Sequence, residues 1–282
     1  MTECELISFL ADAGLADSHS SLHKLKGGYL NSVWRVDTGS RQLVAKQFAS
    51  PMTGTLFPNL PEDEAKALRR LAGLEIAPDL VGFWPDASLL VYDYIDGEMW
   101  DGDMTGVARL LNRKETADPT GFRNVPVTFE EILTEGDALF SRCKTRPAAS
   151  RPAPCQLPPL EKRSLIHTDI GVNLVGEGDG LRLIDWQCPA AGDVCEDIYS
   201  FLSPAFNVLA ERNLLTEEQV RDFWQVLNRP DLMKRYANLQ AAFAWRFAGY
   251  CAWRAEVLED ADVCARYRRA IEVELAYMKE AA

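Results

Sequence analysis

The chain has 282 residues, room for one large domain or two lobes, and its 47% hydrophobic and 26% charged content disfavours a disordered protein. A formal net charge of -12 argues against non-specific nucleic-acid binding, which needs a basic surface. Seven cysteines without a CxxC pair, three histidines without ligand spacing, and no signal-like or membrane-spanning run predict a soluble cytoplasmic protein with no nucleic-acid or membrane partner.

Helical spacing runs from Glu3 to Ala16. Trp34 to Asp37 and Gln42 to Phe48 read as strands joined by a turn at Thr38-Gly39-Ser40. Pro61 opens a helix through Gly73, with Glu62, Asp63 and Glu64 in the first turn, where the helix dipole favours acids. Ala87 to Ile95 is an apolar run that predicts a central strand, ended by Asp96-Gly97. Beyond it the pattern turns helical. Thr128 with Glu131 is a capping box, and Arg146 to Pro159 is a proline-rich extended connector. A hairpin follows, turning at Gly176 to Gly180. Three helices finish the chain: one capped at Thr216 with Gln219, a long one from Asp231, and one from about Asp260. The pattern divides into a strand-rich lobe, residues 1–96, and a helical lobe, residues 97–282.

Several residues stand where chemistry is expected. Gly27 and Gly28, followed by Asn31, precede a strand, where a glycine turn lets backbone N–H groups approach phosphates; a ligand-free hairpin turn gives the same local pattern. Lys46 interrupts the apolar run Leu43-Val44-Ala45. Glu64 shares one helix face with Leu68 and Leu71, and a carboxylate on a core-facing stripe needs a partner. Lys46 is the candidate, either as a structural ion pair or as a pair that aims an ammonium at phosphates.

Asp169 and Asn173 lie between Leu165-Ile166 and Leu174-Val175, and Asp185 ends Leu181 to Ile184. A carboxylate at such a position accepts a proton from an acceptor hydroxyl, while an amide and a second carboxylate are hard oxygen ligands suited to magnesium. His167 reads as a packed support for this loop. Asp193 with Glu196 is a helix cap, and Asp197 either braces the loop or favours the helix dipole.

In this order, across roughly residues 20 to 205, the chain resembles the aminoglycoside phosphotransferase/choline kinase-like family, relatives of protein kinases. The matching residues are the glycine turn with Asn31, Lys46, Glu64, Tyr92-Asp93-Tyr94-Ile95, His167-x-Asp169, Asn173, Ile184-Asp185-Trp186, and Gly192-Asp193 with Asp197. The resemblance implies an α+β, bilobal protein-kinase-like fold, with a small antiparallel-sheet N-lobe and a larger, mainly helical C-lobe. It implies a hinge at Asp93 and Ile95 whose main chain reads the base of ATP or GTP. It further implies Asp169 as catalytic base, Asn173 and Asp185 as Mg2+ ligands, and a hydroxylated small molecule as acceptor.

The family usually has one more residue between the catalytic Asp and the Asn. A one-residue deletion in a helix-like turn rotates the amide by about 100° unless the loop re-closes around Gly171. Two readings follow: an ATP- or GTP-dependent kinase, or a kinase-like module that holds nucleotide or ligand without catalysis. Oligomeric state is not legible in the sequence.

Overall fold

A computed structural model describes residues 1–25, 30–50 and 52–280. The elements in order are α1 (Glu3–Asp12), β1 (Ser21–Lys24), β2 (Ser32–Asp37), β3 (Gln42–Gln47), α2 (Pro61–Leu71), β4 (Leu80–Trp84), β5 (Leu89–Asp93), α3 (Met104–Lys114) and α4 (Phe129–Phe140). They continue with β6 (Ser164–Ile166), β7 (Leu174–Val175), β8 (Arg182–Leu183), β9 (Ala190–Gly192), α5 (Val194–Leu202), α6 (Pro204–Leu209), α7 (Glu217–Leu227), α8 (Pro230–Val257) and α9 (Ala261–Glu280). Among the described residues no helix is long and apolar enough to cross a membrane. All seven cysteines are free thiols.

The chain divides into two compact units, Met1–Trp100 with Val175–Cys188, and Asp101–Leu174 with Pro189–Ala282. The first unit is built on an antiparallel sheet in the order β1-β2-β3-β5-β4. Side chains alternate between the faces of a strand. Trp34 and Val36, Leu43 and Ala45, and Leu89 and Val91 therefore gather on one face, where Leu6 and Leu10 of α1 seal them from water. Val44, Lys46, Leu90 and Tyr92 point the other way and are also buried. Lys46 is thus a cation on an internal face.

The second unit is helical. α8 packs against α4, α5 and α9, and its aromatics form core: Phe243 and Trp245 are fully buried, and Phe206 stacks on Phe247 with centroids 4.1 Å apart. Gly136 of α4 and Gly249 of α8 permit the close crossing of those helices, since a Cβ on Gly136 would lie 2.9 Å from Arg246 Cα. The proline-rich stretch forms no regular element, as fixed φ and missing donors dictate. The capping boxes at Thr128 and Thr216 close as their sequences predict. β1 and β4 were not legible; β1 is short and exposed, and β4 is only half-buried, so neither shows clean alternation.

Candidate active site

Within the first unit, register places Lys46 opposite Val33 and Leu90 on a face that carries α2. Its Nζ donates to Glu64 Oε2 at 2.6 Å and also to Asp185 Oδ1. Glu64 is fully buried, whereas the Asp185 side chain keeps 31% of its surface exposed. Burial alone would lower the pKa of Lys46, but the carboxylates of Asp185 and Glu64 outweigh it and hold the ammonium charged well above its usual range. Burial raises the Glu64 carboxyl above the ordinary carboxylate range, with Lys46 opposing. Beside the cation, the Trp186 backbone N–H also favours the charged form of this carboxylate.

Asp185 has a φ of 60°. An aspartate tolerates the left-handed region better than most residues, yet such strain persists only where neighbours over-determine it. Across it, Trp186 Nε1 donates to the Leu183 carbonyl at 3.0 Å, and before it the Leu183 N–H donates to the Ile76 carbonyl at 2.7 Å.

Asn31 is predicted to attend a phosphate-binding turn. Its side chain instead exchanges two hydrogen bonds with Asn59, at 2.9 and 2.8 Å, donates to Gln187 Oε1 at 3.1 Å, and accepts the Ala49 N–H at 3.1 Å. Gly27 and Gly28, expected beside it, lie outside the described residues. Asp93 closes β5. Its N–H donates to the Asp79 carbonyl at 2.9 Å, and its carboxylate pairs with Arg41 at 2.7 Å. That leaves the nucleotide-base expectation to main-chain groups of Asp93 and Ile95, not to the Asp93 side chain.

In the second unit, β6 delivers the chain into the loop His167–Asn173. Asp197, fully buried on α5, accepts the His167 N–H at 3.0 Å and the Thr168 N–H at 2.8 Å. Its charge is balanced by Lys114 of α3, whose Nζ lies 2.9 Å from Asp197 Oδ2 and donates to the Leu165 carbonyl at 2.7 Å. Asp197 thus holds the backbone of this loop while lying in the first turn of α5. His167 is fully buried, and its Nδ1 accepts the Asp169 N–H at 3.3 Å; this is a supporting position. Asp193 caps α5 by accepting the Cys195 N–H at 3.0 Å and pairs with Arg235 Nε at 2.5 Å.

The loop from Asp169 to Asn173 is tied by bonds between its own residues. Asn173 N–H donates to the Ile170 carbonyl at 3.0 Å, and Asn173 Nδ2 donates to the Asp169 carbonyl at 2.7 Å. A carbonyl accepts only from the NH2 end of an amide, so this bond leaves Asn173 Oδ1 as the end available to a cation. Gly171 makes the closure sterically possible. A Cβ there would lie 2.8 Å from the Ser200 carbonyl oxygen and 3.1 Å from Phe206 Cβ. Thr168 takes a φ of 72°, a position where glycine would sit without strain.

Lys114, Asn59 and Gln187 were not singled out from sequence. Lys114 carried a signal: it follows Val107, Leu110 and Leu111 on one helical stripe, where a lysine needs a buried partner just as Glu64 does. The Trp100 to Asp103 segment buries Trp100 and caps α3 through Asp103, which accepts the Gly106 N–H at 2.9 Å.

Among the described residues no three His, Cys, Asp or Glu side chains gather as a metal cage. Magnesium does not ask for one: it is held by one or two protein oxygens together with substrate phosphates. Asp185, with one oxygen on Lys46, and Asn173, with its oxygen freed, each offer a donor of that kind.

The model of the phosphotransferase enzyme family matches residues 21–237. The chain belongs to this family. Solved structures similar to this family member include choline kinase LicA from Streptococcus pneumoniae, at 17% identity and TM-score 0.64 over 96% of this chain and 98% of that one. A choline kinase from Cryptosporidium parvum matches at 13% identity and TM-score 0.67, over 99% and 96%. A spectinomycin phosphotransferase in complex with ADP and spectinomycin matches at 12% and 0.63, over 100% and 99%. Identities this low establish the kinase-like fold, with its five-stranded antiparallel sheet and mostly helical remainder. No curated protein sequence matches the chain significantly.

Proposed function

We propose that this phosphotransferase is a small-molecule kinase that transfers the γ-phosphoryl group of ATP or GTP to a hydroxyl of a small acceptor. The observation that carries the reading is the ion triad of Lys46, Glu64 and Asp185. A buried ammonium held by one buried carboxylate, beside a second carboxylate that keeps an exposed surface, suits orientation of phosphates better than stability alone. A purely structural pair would gain nothing from the strained, half-open Asp185.

Lys46 orients the phosphates and Glu64 holds Lys46. Main-chain groups at Asp93 and Ile95 receive the base. Asp169 accepts the proton of the acceptor hydroxyl as its oxygen bonds to the γ-phosphorus; the bond from that phosphorus to the β–γ bridging oxygen breaks, and the nucleoside diphosphate leaves. His167 and Asp197 fix the loop that carries Asp169, and Asp193 anchors α5 beneath it. Asp185 and Asn173 would hold Mg2+, which when bound neutralises charge on the phosphoryl oxygens. Similar structures bind AMP, ADP or AMP-PNP, which supports a nucleotide co-substrate. Their acceptors include spectinomycin and hygromycin B, which supports a hydroxylated small molecule as the acceptor class.

A binding-only reading draws on the short Asp169–Asn173 spacing, and the closed loop with its Asn173–Asp169 bond weighs against it. Asp169→Ala is expected to abolish transfer while nucleotide affinity stays within about threefold, because the variant loses proton acceptance and no phosphate contact. Single-turnover transfer and nucleotide titration on this variant test the assignment; undiminished transfer would remove Asp169 from the reaction.

A further inference from the structure

Asn31, Asn59 and Gln187 form a polar network that the reaction does not use directly. An amide side chain has two donor and two acceptor sites. All four of Asn31 are filled: two donors by Asn59 Oδ1 and Gln187 Oε1, two acceptors by Asn59 Nδ2 and the Ala49 N–H. A fully engaged amide has nothing left for a phosphate or a base, so any part it takes in nucleotide handling is positional.

Its partners sit at informative places. Ala49 follows β3, which carries Lys46. Asn59 is fully buried just before α2, which carries Glu64. Gln187 stands two residues after Asp185, and its carbonyl also accepts the Leu60 N–H at 3.3 Å, at the start of α2. One amide thus ties together the three segments whose side chains make the ion triad. The Leu183–Ile76 bond fixes the chain before the strained Asp185, the Trp186 indole bonds across it to Leu183, and this network fixes it afterwards.

We propose that Asn31, Asn59 and Gln187 act as a positioning clamp, which holds Asp185 in its left-handed conformation and in register with Lys46 and Glu64. The clamp rests on the reading of the first unit as the nucleotide-handling unit. Affinity for a magnesium–nucleotide complex then depends on amides that touch neither metal nor phosphate, while affinity for the metal-free nucleotide does not.

Gln187→Met keeps the length of the side chain and deletes the acceptor for Asn31; Gln187→Glu keeps an acceptor. In the full chain, Gln187→Met should weaken MgADP binding roughly three- to tenfold, the equivalent of one lost hydrogen bond. Metal-free ADP affinity should stay unchanged, and amide hydrogen exchange at Leu60 and Trp186 should accelerate. Gln187→Glu should restore both. Equal weakening of MgADP and metal-free ADP, or loss only in proportion to a lower melting temperature, would overturn the clamp. If the wild-type chain binds no MgADP, the kinase reading falls by itself. The clamp is then decided by exchange: unaltered protection at Leu60 and Trp186 in Gln187→Met rejects it, and faster exchange supports it.

Discussion

Gly171 shows how one residue decides whether a loop can take its path. The chain from Asp169 to Asn173 must turn within four positions, and it passes so close to α5 and α6 that a methyl group would press on the Ser200 carbonyl oxygen at 2.8 Å. Arg212 further holds the loop by donating to the Gly171 carbonyl. Gly171→Ala should displace the Asp169 backbone by a few tenths of an ångström. Since small misplacements of a reacting group are costly, kcat should fall roughly ten- to a hundredfold. Nucleotide affinity in the first unit should stay as it was. Steady-state kinetics with a parallel nucleotide titration check this; an unchanged kcat would mean that the loop tolerates the methyl group. Lys46 and Glu64 teach the complementary lesson at this scale. Their pairing was legible because a carboxylate on an apolar helical stripe and a lysine in an apolar strand each demand a partner. Asn31 was not legible as a clamp, because its partners lie 28 and 156 positions away.

Between elements, buried charge does much of the joining. Lys114 of α3 meets Asp197 of α5, Arg246 of α8 meets Glu196 of α5 at 2.6 Å, and Arg235 of α8 meets Asp193. Glu274 of α9 differs, since hydroxyls and a backbone donor hold it and no cation among the described residues pairs with it. Tyr199 and Ser203 each donate to it at 2.6 Å, and the Ala205 N–H at 3.1 Å. Burial pushes its carboxyl up to about 7, against 4.5 for a free glutamate, while those three donors oppose the shift. A folded-state pKa above the unfolded value means that the native state prefers the protonated form. The contribution is therefore complete below pH 4.5 and is lost as pH rises to about 7, beyond which it stays flat. The difference corresponds to about 3 kcal/mol. Denaturant melts of wild type and Glu274→Gln at pH 5 and pH 8 isolate it: the variant should lose less stability over that interval. Parallel pH profiles would show that Glu274 stays ionised in the fold. The helices themselves were legible, because caps and periodicity are local, while their cross-connections were not.

For the whole molecule, the family match sets the chemistry as phosphoryl transfer. A ligand that binds only the folded state stabilises it by about 2.7 kcal/mol at a hundredfold excess over Kd. For a chain of this length that is an upward shift on the order of 5 °C. Thermal melts with AMP-PNP and magnesium should show such a shift, and Lys46→Met should lose most of it. No shift with any adenine or guanine nucleotide would leave the triad without a ligand.

The sequence by itself determined the order of most helices, the three inner strands β2, β3 and β5, the Lys46–Glu64 pairing and the chain positions of Asp169, Asn173 and Asp185. Each rests on periodicity, capping or burial cost that acts within a few residues or on a single side chain. Only the tertiary structure decided that residues 175–188 group with the first hundred, that Asn31 closes a clamp on Gln187, that Lys114 neutralises Asp197, and that Gly171 lets a shortened loop keep Asn173 bonded to Asp169. Those outcomes depend on contacts between distant parts of the chain, and the pairing of two distant polar groups leaves no periodic trace in either segment.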